Sequence, residues 1–207
     1  MRTLRELMDL TGRAALVTGA TGHIGTALVE ALLEQGAHVT VHDRESADCD
    51  ASVEMFRSRG FKHLDWVAAD LADEAETRGI VRTVCNRQGQ LDILVHCAAF
   101  VGTTRFPGWG EPLERQSVEA WDAAVRVNVT AAFVLVQEAA SALKASGKGS
   151  VVFVSSIYGM KAPDMRLYEG TGMSNPAGYG ASKAGLLQLS RYLSTVLAPS
   201  VRVNSIT

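Results

Sequence analysis

Short apolar runs recur along the chain at 14–17, 37–42, 64–68, 91–95, 150–154 and 201–206. Runs of this length, rich in Val, Leu and Ile, predict strands. Between them, apolar positions recur at helical spacing near 24–35, 49–59, 73–88, 117–146 and 178–198. Alternating strands and helices predict a parallel sheet with right-handed crossovers and helices on both faces. The expected class is therefore α/β, a doubly wound parallel sheet of about six strands. Val151-Val152-Phe153-Val154 and Leu91-Asp92-Ile93-Leu94-Val95 have the character of strands buried on both sides. Two irregular regions, 100–116 and 157–178, are rich in Gly and Pro and follow predicted strands. Ligands of open α/β sheets bind beyond the carboxyl ends of strands, so these loops are predicted to wall a substrate pocket.

Composition narrows the picture by exclusion. A length of 207 residues suits one domain spanning 1–207, with 47% hydrophobic and 20% charged residues. A net charge of −2 gives no pull toward nucleic acid or an anionic membrane. No apolar run is expected to approach the length of a membrane span, and Met1 to Asp9 carries acids rather than a secretory apolar region. Cys49, Cys85 and Cys97 are an odd, scattered set without metal spacing. They suit a reducing, cytoplasmic compartment, and each reads as an ordinary small apolar residue.

The candidate chemistry begins after the first strand. Thr18-Gly19-Ala20-Thr21-Gly22-His23-Ile24-Gly25 leads into the helical run Ala27 to Gln35. Strand, glycine-rich turn and helix is the arrangement that holds a dinucleotide pyrophosphate. Gly19 suits a tight turn, Gly22 lets backbone approach phosphate, and Gly25 lets the helix pack against the sheet. Thr21, His23 and Ile24 complete the candidate cofactor turn. Its plain alternative is a turn and nothing more, with His23 facing solvent. Asp43 closes the second predicted strand. An acid there accepts hydrogen bonds from an adenosine ribose and repels a 2′-phosphate, favouring NAD over NADP. Arg44, the next residue, pulls the other way, and Asp43 also reads as a turn residue.

Tyr179 and Lys183 stand four apart at the head of the last predicted helix. Residues i and i+4 share a helix face, which sets an ammonium beside a phenol. A nearby positive charge favours phenolate, so such a phenol is suited to trade a proton with a substrate hydroxyl or carbonyl. A surface Tyr-Lys pair is the alternative.

Together these motifs resemble the short-chain dehydrogenase/reductase family, a Rossmann-fold family, from about residue 11 to the last residue. Thr18 to Gly25 resembles its cofactor turn. Asp70 in Ala68-Ala69-Asp70-Leu71 resembles the acid that meets the adenine, with Leu71 beside it. Cys97, Ala98 and Ala99, in Leu94-Val95-His96-Cys97-Ala98-Ala99, occupy the place of the family's Asn-Asn-Ala-Gly motif. Asn128 resembles the helix asparagine of the catalytic tetrad, Ser156 the catalytic serine, and Tyr179 with Lys183 the Tyr-x-x-x-Lys pair. The resemblance implies hydride transfer between a nicotinamide cofactor and a secondary alcohol or ketone. Tyr179 then exchanges the hydroxyl proton, Lys183 tunes it and binds the ribose, Ser156 holds the substrate oxygen, and Asn128 holds a water. No metal is implied.

The sequence also departs from the family pattern. Gly22 follows the Thr-Gly-x-x-Gly-x-x-Gly spacing of the branch that handles nucleotide sugars, and His23 stands where the compact branch has glycine. The interval from Ser156 to Tyr179 exceeds the family's usual dozen or so. Its Ser-Ser-Ile-Tyr-Gly…Tyr-Glu-Gly-Thr segment is similar to members linked to bacterial surface-sugar synthesis. The resemblance implies a further Pro-Gly turn, lid and final strand beyond Thr207, so the chain is expected to be carboxyl-terminally incomplete. Rival functions are a sugar-nucleotide epimerase or dehydratase with tightly bound NAD, and a non-catalytic NAD-binding module. The helices at 117–146 and 178–198 are expected to pair in a homodimer or homotetramer, or else only to cover the sheet.

Several residues keep a plainer reading. Ser155 is as suited as Ser156 to end a strand. Asn128 breaks a helical stretch. Asp70 is placed to cap the helix beginning near Asp73. Asp92, Trp109 and Trp121 read as structural. Tyr158 and Tyr168 lack a lysine four residues on and are candidates for substrate contact.

Overall fold

A computed structural model of the chain describes residues 3–101, 104–171 and 173–207. Gly102 and Thr103 of the first expected pocket loop and Gly172 of the second lie outside the described residues, as do Met1 and Arg2. The elements run α1 (Leu4–Met8), β1 (Ala14–Thr18), α2 (His23–Glu34), β2 (His38–Asp43), α3 (Ser46–Ser58), β3 (Leu64–Ala68), α4 (Glu74–Gln88) and β4 (Ile93–His96). Then come α5 (Val118–Val125), a π-turn (Arg126–Thr130), α6 (Ala131–Ala145), β5 (Gly149–Val154), α7 (Ala177–Leu197) and β6 (Val201–Ile206).

All six strands form one parallel sheet in the order β3-β2-β1-β4-β5-β6. The order reverses between β1 and β4, which opens a crevice at their carboxyl ends. Successive side chains point to opposite faces of a strand. Leu16, Leu94, Val151 and Phe153 therefore join a core with α4, α6 and α7 that includes Ile80, Leu135 and Leu186. Ala15, Val17, Ile93 and Val95 face the other way, into a core with α2 and α3 that includes Val29, Val53 and Phe56. The expected doubly wound architecture is what the chain adopts.

Local chemistry sets the helix ends. Asp73, not Asp70, caps α4, its side chain accepting from the Glu76 N–H, and Gly89 at φ +73° ends that helix. Ser117 caps α5 through the Ala120 N–H. The unanticipated α1 carries a capping box between Thr3 and Glu6. Leu91 and Asp92 precede β4 rather than belonging to it. The Asp92 carboxylate accepts from the Ala14 N–H at 2.8 Å and ties the foot of β4 to β1, the structural role expected of it.

Two corrections concern 117–146. The stretch is helical but not uniform, because the π-turn divides it. By length and composition Val118–Ala145 is also long and apolar enough to cross a membrane. Charges at Glu119, Asp122, Arg126 and Glu138 break the apolar run when it is read in sequence order. In the fold, its residues Ala131, Leu135, Ala139 and Leu143 are buried in the core.

Candidate active site

The glycine turn is built without room for side chains at two of its three glycines. Gly19 adopts φ +65°, and a Cβ there would lie 2.6 Å from the backbone of Ala98. A Cβ on Gly25 would lie 2.0 Å from the Gly19 carbonyl oxygen. Gly22 differs, since its nearest neighbour would stand at an ordinary 3.5 Å. It is the N-cap of α2 and supplies no side-chain cap. The first N–H groups of α2 are thus left for an external acceptor, at the positive end of the helix dipole. His23 and Ile24 expose their side chains on this first turn. The cradle fits the pyrophosphate of a nicotinamide dinucleotide.

Asp43 stands beside that turn. Its carboxylate accepts from the Thr21 hydroxyl at 2.6 Å, the Thr21 N–H at 3.2 Å and the Arg44 N–H at 2.9 Å. Arg44 turns its guanidinium to Glu45 instead, at 3.0 Å. A fixed negative charge therefore guards the end of β2. Asp43 is the last residue of β2 rather than a turn residue. Asp70 is exposed after β3, its carboxylate accepting from the Ala72 N–H. Leu71 is buried behind it.

At the end of β4, Cys97, Ala98 and Ala99 are half-buried and pass over the turn. The Cys97 N–H donates to the Thr18 carbonyl and the Ala98 N–H to the Thr18 hydroxyl. Burial pushes the Cys97 thiol up, against the opposing pull of the Lys183 ammonium. The fully buried His96 sets Nδ1 2.9 Å from the Thr18 hydroxyl. Burial first, then the neighbouring Lys183 and His42, holds His96 down to about 3, so it is neutral at working pH. His42, across β1, is held down to about 4, chiefly by burial. These two histidines were not singled out in the sequence as buried groups.

Of the tetrad candidates, Asn128 bonds Phe100 past β4, Lys183 bonds Val154 at the end of β5, Ser156 follows β5, and Tyr179 lies one turn before Lys183 on α7. Asn128 sits fully buried on the π-turn. Its amide donates to the Phe100 carbonyl and the Ser182 hydroxyl, and its oxygen accepts from the Phe100 N–H at 2.6 Å. It lies at the break between α5 and α6, as the plainer reading expects, and its partners among the described residues are Phe100 and Ser182. Ser182 passes the brace on, donating to the Tyr179 carbonyl. Sequence reasoning missed Ser182, although it lies inside the Tyr-x-x-x-Lys stretch. The Ser155 hydroxyl is committed to the Lys183 carbonyl. Ser156 is half-buried and, among the described residues, its hydroxyl accepts only the Tyr158 N–H at 3.2 Å, leaving its proton to donate. That division favours Ser156 over Ser155.

Lys183 Nζ stands 5.9 Å from the Tyr179 ring centroid and donates to the Val154 carbonyl at 2.8 Å. The Tyr179 ring packs with Phe100, Trp109, Ala120 and Ala124. Only 2% of Lys183 is exposed, and burial lowers it to about 8. The unfolded chain then binds the extra proton between about 8 and the ordinary lysine value of 10.5. Stability carried by this group is penalised below that window and recovers as pH rises through it. Relative to Lys183→Met, the cofactor-free protein should gain roughly 3 kcal/mol of unfolding free energy across the window. Urea titrations of both proteins at each end check this; a constant difference would show that Lys183 keeps an ordinary affinity for its proton.

The expected pocket walls are ordered differently. In the first, Trp109 is 1% exposed and its Nε1 donates to the Val101 carbonyl, so it is a packing residue. A cavity of about 440 Å³ lies beside it, bounded by Leu113, Val118, Trp121 and Gly178. In the second, Tyr158, Tyr168 and Asn175 join through their polar ends.

Comparison with known proteins bears on the family and the fold. The family model for short chain dehydrogenase matches residues 13–207. The chain is 33% identical over 198 residues to the rhamnolipids biosynthesis 3-oxoacyl-[acyl-carrier-protein] reductase of Pseudomonas aeruginosa, covering 94% of this chain and 70% of that one. A Pseudomonas aeruginosa RhlG/NADP active-site complex superposes with a TM-score of 0.84 at 30% identity, over 97% of this chain and 73% of that one. An NAD+-bound xylitol dehydrogenase superposes at 0.79 and 26% identity, over 96% and 70% of the two chains.

Proposed function

The chain belongs to the short-chain dehydrogenase/reductase family, and on that premise we propose that it oxidises a secondary alcohol or reduces the matching ketone with NAD. The observation that supports it is the buried Lys183, 5.9 Å from the Tyr179 ring and bonded to the end of β5 just before Ser156, in a fold whose α2 N-terminus lacks a side-chain cap. A bound nicotinamide supplies the site that accepts or gives the hydride. The chain's own groups do the rest. Tyr179 takes or returns the hydroxyl proton. Lys183 lends positive charge beside the phenol and bonds the ribose. Ser156 donates to the substrate oxygen and steadies its developing charge. Asn128 holds the helix that carries Tyr179 and Lys183. Gly19, Thr21, Gly22, His23, Ile24 and Gly25 form the pyrophosphate cradle, and Asp70, Leu71, Cys97, Ala98 and Ala99 flank the adenosine.

The preference for NAD rests on Asp43, whose charge is held in place by Thr21, and on Arg44 being turned to Glu45. Solved relatives carry either dinucleotide, so this is a reading of these residues alone. The pocket loop and the likeness to a xylitol dehydrogenase favour a sugar-related substrate. The assay is stoichiometric NADH formation with secondary alcohols and polyols, run in parallel with NADP. Kinetic efficiency should be higher with NAD. A clear preference for NADP would overturn the role given to Asp43, and conversion of a sugar nucleotide without net NADH would favour an epimerase. The same proposal places the protein in the cytoplasm as a homodimer or homotetramer through α5–α6 and α7, which expose Trp121, Phe133, Tyr192 and Val196. A monomer by light scattering would remove that part.

A further inference from the structure

Tyr158 lies two residues past Ser156, in a tight turn over Ile157–Gly159. The turn is wedged in place. A Cβ on Gly159 would lie 2.8 Å from the Lys183 backbone, and one on Gly180 would lie 3.1 Å from the Tyr158 carbonyl oxygen. The Tyr158 N–H is anchored on the Ser156 hydroxyl. The ring therefore leaves from a backbone fixed between Ser156 and the helix of Tyr179 and Lys183.

Its hydroxyl ends a directed chain. Asn175 Nδ2 donates to the Tyr168 hydroxyl oxygen at 3.2 Å, and the Tyr168 hydroxyl donates to the Tyr158 oxygen at 2.9 Å. The Tyr158 hydrogen is then the free end, with no acceptor among the described residues. Each bond in such a chain polarises the next, so the last donor is strengthened. The long segment between Ser156 and Tyr179 is what brings Tyr168 and Asn175 into reach. Phenol and amide are otherwise costly to immobilise in a loop, and here their polar ends meet in a chain that leads to the Tyr158 hydroxyl.

Resting on the dehydrogenase reading, we infer that Tyr158 reads the substrate by donating a hydrogen bond to an oxygen on the carbon next to the reacting one. The site then takes vicinal diols and polyols in preference to isolated alcohols. Ser156 binds the reacting oxygen and Tyr158 binds its neighbour, as two donors fixed on one turn. Tyr168 and Asn175 act through Tyr158 and are positioning residues.

The experiment compares kinetic efficiency with NAD for 2,3-butanediol against 2-butanol. In Tyr158→Phe the diol-to-alcohol ratio should fall about tenfold, the weight of one hydrogen bond. Tyr168→Phe should lower the ratio in the same direction by less. A ratio unchanged in Tyr158→Phe, or both substrates lost in equal proportion, would overturn the inference and make the tyrosines a wall only. Failure of the unaltered protein to oxidise either alcohol would count against the dehydrogenase reading itself. Calorimetry with erythritol and NADH-loaded protein then decides the inference separately. Binding weakened about tenfold by Tyr158→Phe supports it; no binding, or equal binding by both proteins, overturns it.

Discussion

Tyr179→Phe should lower turnover by at least about a hundredfold, the scale on which a general acid or base contributes. The substitution removes one oxygen and keeps the ring. That ring packs with Phe100, Trp109, Ala120 and Ala124, so the fold should stand and the loss should fall on turnover. The Tyr179 hydroxyl has no protein partner among the described residues, so no buried bond is broken with it. Assays belong near pH 7, because Lys183 loses its charge as pH rises through about 8. Steady-state turnover with NAD and a responsive alcohol makes the measurement, with NADH fluorescence reporting cofactor binding. Turnover within a few-fold of the unaltered protein would take Tyr179 out of the chemistry.

Gly25→Ala should weaken NADH binding at least about a hundredfold, by the leverage that a 1 Å misplacement has on a preorganised site. The added methyl would start 2.0 Å from the Gly19 carbonyl oxygen and 2.7 Å from the Ala20 Cα. All of these atoms are backbone, so no side chain can swing away. The turn must open, and with it the start of α2. Gly22→Ala separates this effect from simple damage. Its methyl would meet nothing closer than 3.5 Å, so the protein should fold normally and still bind the dinucleotide less tightly, since the methyl stands where phosphate approaches. Circular dichroism and NADH titration of both variants test the pair. Normal affinity in Gly25→Ala would mean that the cofactor does not use this turn.

The sheet was legible because parallel strands covered on both faces read as short unbroken apolar runs. The glycine turn was legible because its spacing is a steric requirement. Other features depend on bonds between distant residues. Asp70 and Asp73 are both good caps, and only the fold shows that Asp73 does the capping, while Asp70 bonds Ala72. The π-turn shifts hydrophobic spacing by a single residue, which does not mark it in the sequence, so Asn128 could be found by resemblance but its partners Phe100 and Ser182 could not. The Asn175–Tyr168–Tyr158 chain crosses a loop with no period to read. The Thr3–Glu6 box was readable as a helix start and went unused because α1 spans only 5 residues, too few to show a helical period.

The π-turn has a geometric consequence for assembly. It inserts one residue into an otherwise continuous rod, and one residue is about 100° of rotation at 3.6 per turn. Trp121 before it and Phe133 after it would stand about 120° apart on an unbroken helix, and the extra residue brings them to within about 20°. A flat partner helix can therefore follow both along one seam. Deleting Val127 would split that seam, and would at the same moment swing Asn128 away from Phe100 and Ser182.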